Sequence, residues 1–394
     1  MGSLDGVKAR YDVVVVGARA AGAATAMLLA RQGLRVLAVD RGAYGSDTLS
    51  THALMRAGVL QLARWGVLGR IEREGTPRVG RTVFHYVDEV LDIPIKPRDG
   101  VPALFAPRRT VLDRALVDAA VEAGAEVRHR VRLHDLVRRS EGRVEGVLLQ
   151  GDEGGARAVH ADLVVGADGL RSTVAARVGA PVTRRGRHAT ATIYGYWPGL
   201  AVDGYHWHWG PGAAAGAIPT NGGEVLVFVA VPSSRFVDEA RGDVPGAYRR
   251  LLAEAAPRLA RELEGAPPVG SLRGFPGHPG FLRRPWGQGW ALVGDAAYFK
   301  DPITAHGISD ALRDAELLAR AVARGGEPAL GEYEAARDEL SAALFETTDR
   351  IASVAWDDPD LKALHRALSD EMKREVAALA ALAAEAGDRA RLTA

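Results

Sequence analysis

YDVVVVGARAAGAATAMLLARQGLRVLAVD, Tyr11 to Asp40, decides the fold. The valine run Val13–Val16 reads as a strand buried on both faces, the mark of a parallel sheet. A glycine turn follows at Gly17 and Gly22. An alanine-rich helix then covers Ala23–Arg31, and a second strand, Arg35–Val39, ends in an acid, Asp40. This strand–turn–helix–strand unit sets a helix N-terminus against a diphosphate and a carboxylate against a ribose. It implies a bound dinucleotide and hence redox chemistry. The turn reads Gly17-Ala18-Arg19-Ala20-Ala21-Gly22, with arginine where the middle glycine of GxGxxG usually lets backbone approach the pyrophosphate. Arg19 is expected to place its guanidinium on that diphosphate or at its solvent edge. Asp40, with Arg41 beside it, is expected at the adenosine end.

Composition narrows the function classes. The chain has 394 residues, enough for two domains around ample core. Its net charge of +1 implies no polyanion partner, so nucleic acid is not expected. Cysteine is absent, which excludes disulfides, thiolate metal sites, dithiol redox chemistry and a cysteinyl flavin link. Only five of the 50 cationic residues are lysine, a bias that reads as codon composition. No stretch approaches the ~20 apolar residues of a membrane span, and MGSLDGVKAR lacks a signal peptide's apolar core. A cytoplasmic location is the default expectation.

Along the chain, Leu49–Leu68 has helical spacing. Thr82–Ile95 alternates and is broken by prolines, as an edge strand pair would be. Arg109–Ala123 reads as an amphipathic helix closed by Gly124. Ala125–Val131 and Val144–Leu149 read as strands around the turn Glu141-Gly142-Arg143, and Asp162–Val165 as another buried strand. From Pro181 to about Gly274 alternating, aromatic-bearing stretches suggest an inserted antiparallel sheet. Gly210-Pro211-Gly212-Ala213-Ala214-Ala215-Gly216 follows no apolar parallel strand and reads as a hairpin turn, so no second nucleotide-binding unit is visible. Beyond Gly307 the pattern is largely helical. The expected organisation is α/β, a Rossmann-type cofactor domain (10–80, 106–180 and 276–325) with an inserted antiparallel β-sheet substrate domain (81–105 and 181–275). A C-terminal helical region (326–394) follows.

Two later motifs strengthen the case. Gly166-Ala167-Asp168-Gly169-Leu170-Arg171-Ser172 and Gly294-Asp295-Ala296-Ala297 each follow a buried strand and present backbone N–H groups with a carboxylate. Taken singly, either is also how a capped helix begins. With the opening turn, in this order, the set resembles the FAD-dependent oxidoreductases that include aromatic hydroxylases, geranylgeranyl reductases and flavin-dependent halogenases. The resemblance covers roughly residues 10–350. It implies non-covalent FAD, with Asp295 on the ribityl chain and Asp40 on the adenosine ribose. It further implies Asp168 supporting the cofactor, Arg109 near the phosphates and ribityl, and backbone at Val131 against adenine. Gly307 and Ile308 would open a helix aimed at the flavin pyrimidine, where a positive helix end stabilises negative charge.

The stretch Asp301-Pro302 to Gly307-Ile308 resembles the reductase and halogenase branch. The halogenase pattern itself fails: Trp207-His208-Trp209 is present, but Ile218-Pro219 arrives only after a Gly/Ala-rich insert. Tyr205, Trp207 and Trp209 share one strand face, suited to a flat apolar substrate or to plain core packing; His206 and His208 share the other and show no third metal ligand. No metal is expected. His52, Lys300 and His306 are the candidate catalytic groups, His52 falling where the family's chain passes the isoalloxazine, and each histidine is equally readable as structural. The leading expectation is a monooxygenase acting on an apolar or aromatic small molecule. The alternative is a carbon–carbon reductase, and a non-catalytic flavin-binding protein is a third. Electrons would come from NAD(P)H or a separate flavin reductase.

Overall fold

The computed structural model describes residues 2–392 apart from 153 and 241, with side chains described to residue 384. The last two residues of the expected C-terminal region lie outside this range. The opening strand Arg10–Val16 is the centre of an eight-stranded sheet. It pairs in parallel with Val36–Asp40 on one side and Ala156–Gly166 on the other, and Glu126–His129 and Trp290–Leu292 extend the parallel set. Val14 and Val15 are wholly buried. One face of this sheet is covered by the helices Ala20–Arg31, Arg109–Glu122 and Gly307–Arg324. The other carries a cluster that includes Leu136, Val147, Leu149 and Val159 of the antiparallel strands beside it. The parallel order sets the C-terminal ends of Arg10–Val16, Ala156–Gly166 and Trp290–Leu292 side by side. Gly17, Asp168 and Asp295 follow these ends, where ligands bind open α/β sheets.

The second sheet has seven strands in the order 273–275, 190–198, 224–232, 213–219, 205–210, 81–85, 90–94. The helices Val244–Ala255 and Pro257–Glu262 cover one face. The C-terminal helices cover the other: Leu344, Ile351, Leu361, Leu364 and Leu368 pack with Tyr205, Trp207 and Trp209. The same C-terminal segment also reaches the first sheet's cluster through Leu330, Tyr333, Val376 and Leu379.

Four local expectations need correction. The inserted sheet is not wholly antiparallel, because Arg81–His85 runs parallel to Tyr205–Gly210. Those strands lie far apart in sequence, so no turn dictates their direction. The segment from Leu49 is not helical until Arg56, since Leu54 N–H bonds Phe105 C=O (2.8 Å) and ties the chain to a neighbouring segment. Across the Glu141-Gly142-Arg143 turn the partner of Val144–Gln150 is Arg132–Arg138, not the strand ending at residue 131. Finally, the tight turn at 210–213 is confined to Pro211 and Gly212, and Ala213–Pro219 is itself a strand.

Candidate cofactor and substrate site

The opening turn has the geometry its glycines require. Gly17 has φ +103°, and a Cβ there would lie 2.3 Å from Ala167 O. A Cβ on Gly22 would lie 1.8 Å from Gly17 O. Arg19 sits in extended backbone (φ −91°), so a side chain is tolerated where the middle glycine is usual. Ala20 and Ala21 open the helix with no acidic residue in its first turn. Both oxygens of Asp40 accept backbone N–H groups, from Ala18 (2.8 Å) and Gly42 (2.7 Å), which fixes the carboxylate for ribose. Arg41 is exposed. Val131 donates its N–H to Asp40 O (2.9 Å), leaving only its carbonyl for a ligand.

Arg19 and Arg109 converge on one carboxylate, Asp113, at 3.1 and 2.9 Å. Arg19 also donates to Ser46 O and Ser46 Oγ. Two guanidiniums sharing one buried anion leave a net positive corner beside the turn. Asp113, which neutralises half of it, belongs to the Arg109-x-x-Leu112-Asp113 pattern already visible in the sequence.

Asp168 and Asp295 differ in kind. Asp168 accepts from Ser172 Oγ (2.5 Å), Thr173 N (2.6 Å) and Val174 N (3.2 Å), and so braces the first turn of the helix Thr173–Val178, whose N-cap is Ser172. The Asp295 side chain makes no hydrogen bond among the described residues. Burial and the nearby Asp310 push its carboxyl up to about 6, against the pull of Arg109 and Lys300. A carboxyl held uncompensated beside the Gly17 turn and Gly307 fits the hydroxyls of a ribityl chain. Gly307 and Ile308 do open a helix, Gly307–Arg324, as expected.

The three candidate catalytic groups go to two places, His52 to one and Lys300 with His306 to the other. His52 is buried, with φ +45°. Its Nδ1–H donates to Ala106 O (3.2 Å), which leaves Nε2 to accept from Tyr196 O–H (3.2 Å). Burial and Arg108 lower its pKa to about 3, so the ring is neutral. Arg108, which the sequence reading missed, lies over the Tyr196 ring at 3.7 Å and pairs with Asp47 and Glu224. Lys300 is not free to meet substrate. Its ammonium is buried and bonded to Asp310, and burial lowers its pKa. His306 is 1% exposed, and its Nε2 lies 2.7 Å from Glu375 of the helix Asp358–Leu392.

Around His306 stands a buried group the sequence did not reveal. Arg313 bonds Asp310 (2.9 Å), Asp314 (3.0 Å) and Glu375 (2.9 Å). Ligand atoms of His306, Asp310 and Glu375 lie within 4.8 Å of one another. Lys300 and Arg313 pair directly with these carboxylates, so the group reads as a salt-bridge network.

Tyr205, Trp207 and Trp209 do share a face, and all are buried, at 1, 6 and 6% exposure. Tyr205 O–H donates to Phe105 O (2.7 Å) and Trp207 Nε1–H to Thr82 Oγ1 (2.9 Å). Trp209 packs against His365 and Trp356 of the C-terminal segment, at 4.6 and 5.7 Å between ring centres. On the other face His85 joins His206 and His208. Its Nε2 lies 3.0 Å from His206 Nδ1 and its ring stacks on His208 at 4.1 Å, so these imidazoles bond and stack on one another.

A family model described as FAD binding domain matches residues 10–348. The chain belongs to this FAD-binding family. A menaquinone reductase of Mycolicibacterium smegmatis is 30% identical over 343 residues, covering 80% of this chain and 77% of the relative. Digeranylgeranylglycerophospholipid reductase 1 of Methanopyrus kandleri is 30% identical over 318 residues, 77% of each chain. The solved structure of P. aeruginosa PqsL with 2-aminobenzoylacetate superposes with TM-score 0.77 at 22% identity, covering 92% of this chain and all of that one. The fold and the FAD-dependent oxidoreductase class stand on these matches. Among the described residues no helix is long and apolar enough to cross a membrane.

Proposed function

We propose that this FAD-binding protein is a monooxygenase that inserts one atom of O2 into an apolar or aromatic small molecule. FAD, held by the Gly17 turn, Asp40, Arg109 and Asp295, would supply the redox chemistry. NAD(P)H or a partner flavin reductase would supply the electrons. One observation carries the choice of reaction. His52, the titratable group expected beside the isoalloxazine, is held neutral with a pKa of about 3. Its neighbour Tyr196 is an even weaker acid than free tyrosine, because burial raises it. Reduction of a carbon–carbon double bond needs an acid to protonate the second carbon; the neutral His52 ring has no cationic proton to give, and the Tyr196 O–H is engaged on His52 Nε2. Oxygen insertion needs instead a compartment that excludes water. The aromatic face of Tyr205, Trp207 and Trp209, packed under Leu361, Leu364 and Leu368, gives this sheet a water-free apolar side.

The two reductases at 30% identity favour a second reading, reduction of a carbon–carbon double bond in an isoprenoid lipid or quinone. The test is to reduce the flavin with dithionite under nitrogen and then add menadione, geranylgeraniol or a panel of phenols. Flavin reoxidation by the organic compound without O2 supports the reductase and sinks the monooxygenase. Reoxidation only after O2 is admitted, with label from 18O2 appearing in the product, supports the monooxygenase.

A further inference from the structure

Six ionisable side chains lie together with no more than 5% exposure: Lys300, His306, Asp310, Arg313, Asp314 and Glu375. Burying this much charge is expensive, and apolar side chains would fill the same space without that cost. The group therefore calls for a role beyond stability. It lies under the two segments assigned to the flavin. Gly294 donates its N–H to Asp314 (3.2 Å), Asp310 and Lys300 are close enough to perturb Asp295, and His306 immediately precedes Gly307.

The charges do not balance by themselves. Lys300 and Arg313 are cations, while Asp310, Asp314 and Glu375 are acceptors of charged or backbone donors, as carboxylates are. Arg337 packs nearby but is matched by its own partner, Asp338. One negative charge is left over while His306 is neutral, and none when it carries a second proton. Glu375 Oε2 accepts the Nε2–H of His306 at 2.7 Å, and its Oε1 accepts from Arg313. The remaining ring nitrogen, Nδ1, is buried and has no hydrogen-bond partner among the described residues. Asp310 also faces the ring, at 3.9 Å.

We propose that His306 and Glu375 form a proton-holding pair that couples proton uptake to flavin reduction. Glu375 fixes the tautomer by taking the Nε2–H, so the Nδ1 lone pair is the basic site. Bound FAD that gained a hydride, or two electrons from dithionite with one proton from water, would carry one negative charge. A second proton, drawn from solvent, binds Nδ1 of His306. The network then reaches zero net charge and offers a cation to the anionic flavin. Glu375 acts through His306 and is a positioning residue. This inference rests on FAD occupying the site described above.

The test is an equilibrium redox titration of the FAD-loaded protein between pH 6 and 9, with reference dyes. Its slope against pH counts protons bound per electron pair. Two protons are expected for the natural chain across part of this range, and one for Glu375→Gln and for His306→Gln. A readout that needs no redox dye comes from protein labelled with 13C at histidine Cε1. The His306 signal, assigned by its loss in His306→Gln, should move to the imidazolium position on reduction. If Glu375→Gln does not fold, the natural chain and His306→Gln decide alone. One proton in the natural chain, or an unchanged count in the variants, overturns the proposal. Failure of the natural chain to hold FAD at all overturns the cofactor assignment with it, so the two failures are distinguishable.

Discussion

Replacing Asp295 with alanine should weaken FAD binding while leaving the empty protein as stable as before or more so. The Asp295 carboxylate has no hydrogen-bond partner among the described residues, so its removal strands no protein donor. A charge-assisted hydrogen bond to a ribityl hydroxyl is worth about 1.5–3 kcal/mol. That corresponds to a dissociation constant raised roughly 10- to 150-fold, at about 1.4 kcal/mol per decade. The same side chain is a burden in the empty protein, because burial lifts its pKa to about 6, above the 3.8 of a free aspartate. A carboxyl raised in this way favours the fold below pH 3.8, and that contribution is lost as pH rises through 6. Asp295 is only partly shielded from solvent, so the penalty at neutral pH is about 1 kcal/mol. Asp168→Ala should show the reverse pattern. It removes the acceptor for Thr173 and Val174 N–H and for Ser172, the N-cap of Thr173–Val178, costing about 1 kcal/mol of stability, with FAD affinity little changed. Fluorescence titration with FAD and thermal melts of the apoproteins measure both effects. An Asp295→Ala protein that binds FAD within threefold of the parent refutes the placement. So does an Asp168→Ala protein that loses FAD more severely.

The titration of Asp295 gives a pH dependence of its own. Hydroxyl donors favour the ionised form, so FAD should bind best above pH 6 and weaken, by up to about tenfold per unit, as pH falls below it. Affinity that is flat from pH 5 to 8 would argue against a ribityl contact. Arg19→Gly should reduce FAD affinity and flatten its salt dependence, since it removes one of two guanidiniums at the positive corner. Parent and variant affinities that match each other at both low and high salt would show that Asp113 already cancels Arg19. Trp207→Ala should cost about 3–5 kcal/mol of stability, because the ring is 6% exposed and packed against Tyr205 and Phe228. Trp207→Phe should keep most of that packing, and a raised KM in this milder variant would be the sign of substrate contact.

The sequence by itself determined the features set by neighbours a few residues apart. The valine run, the glycines at 17 and 22 and the acid at 40 fix the βαβ unit, because a buried strand, a tight turn and a helix start each impose local steric demands. The Gly307 helix and the sharing of one face by Tyr205, Trp207 and Trp209 follow from the same short-range periodicity. Tertiary structure alone decided what depends on distant partners. Asp168 and Asp295 follow buried strands in similar glycine-bearing motifs, yet one is spent on bracing the first turn of a helix and the other left without a partner. Only the surrounding chain distinguishes them. Lys300 and His306 read as catalytic candidates until Asp310 and Glu375 close around them, and Glu375 arrives from 69 residues further along. Its helix carries many other charged residues, and nothing in its spacing marks this one as buried. The parallel pairing of 81–85 with 205–210 was hidden for the same reason. Pairing between remote segments is chosen by packing across the whole sheet, and a single sequence shows the faces available but not the partner that will cover them.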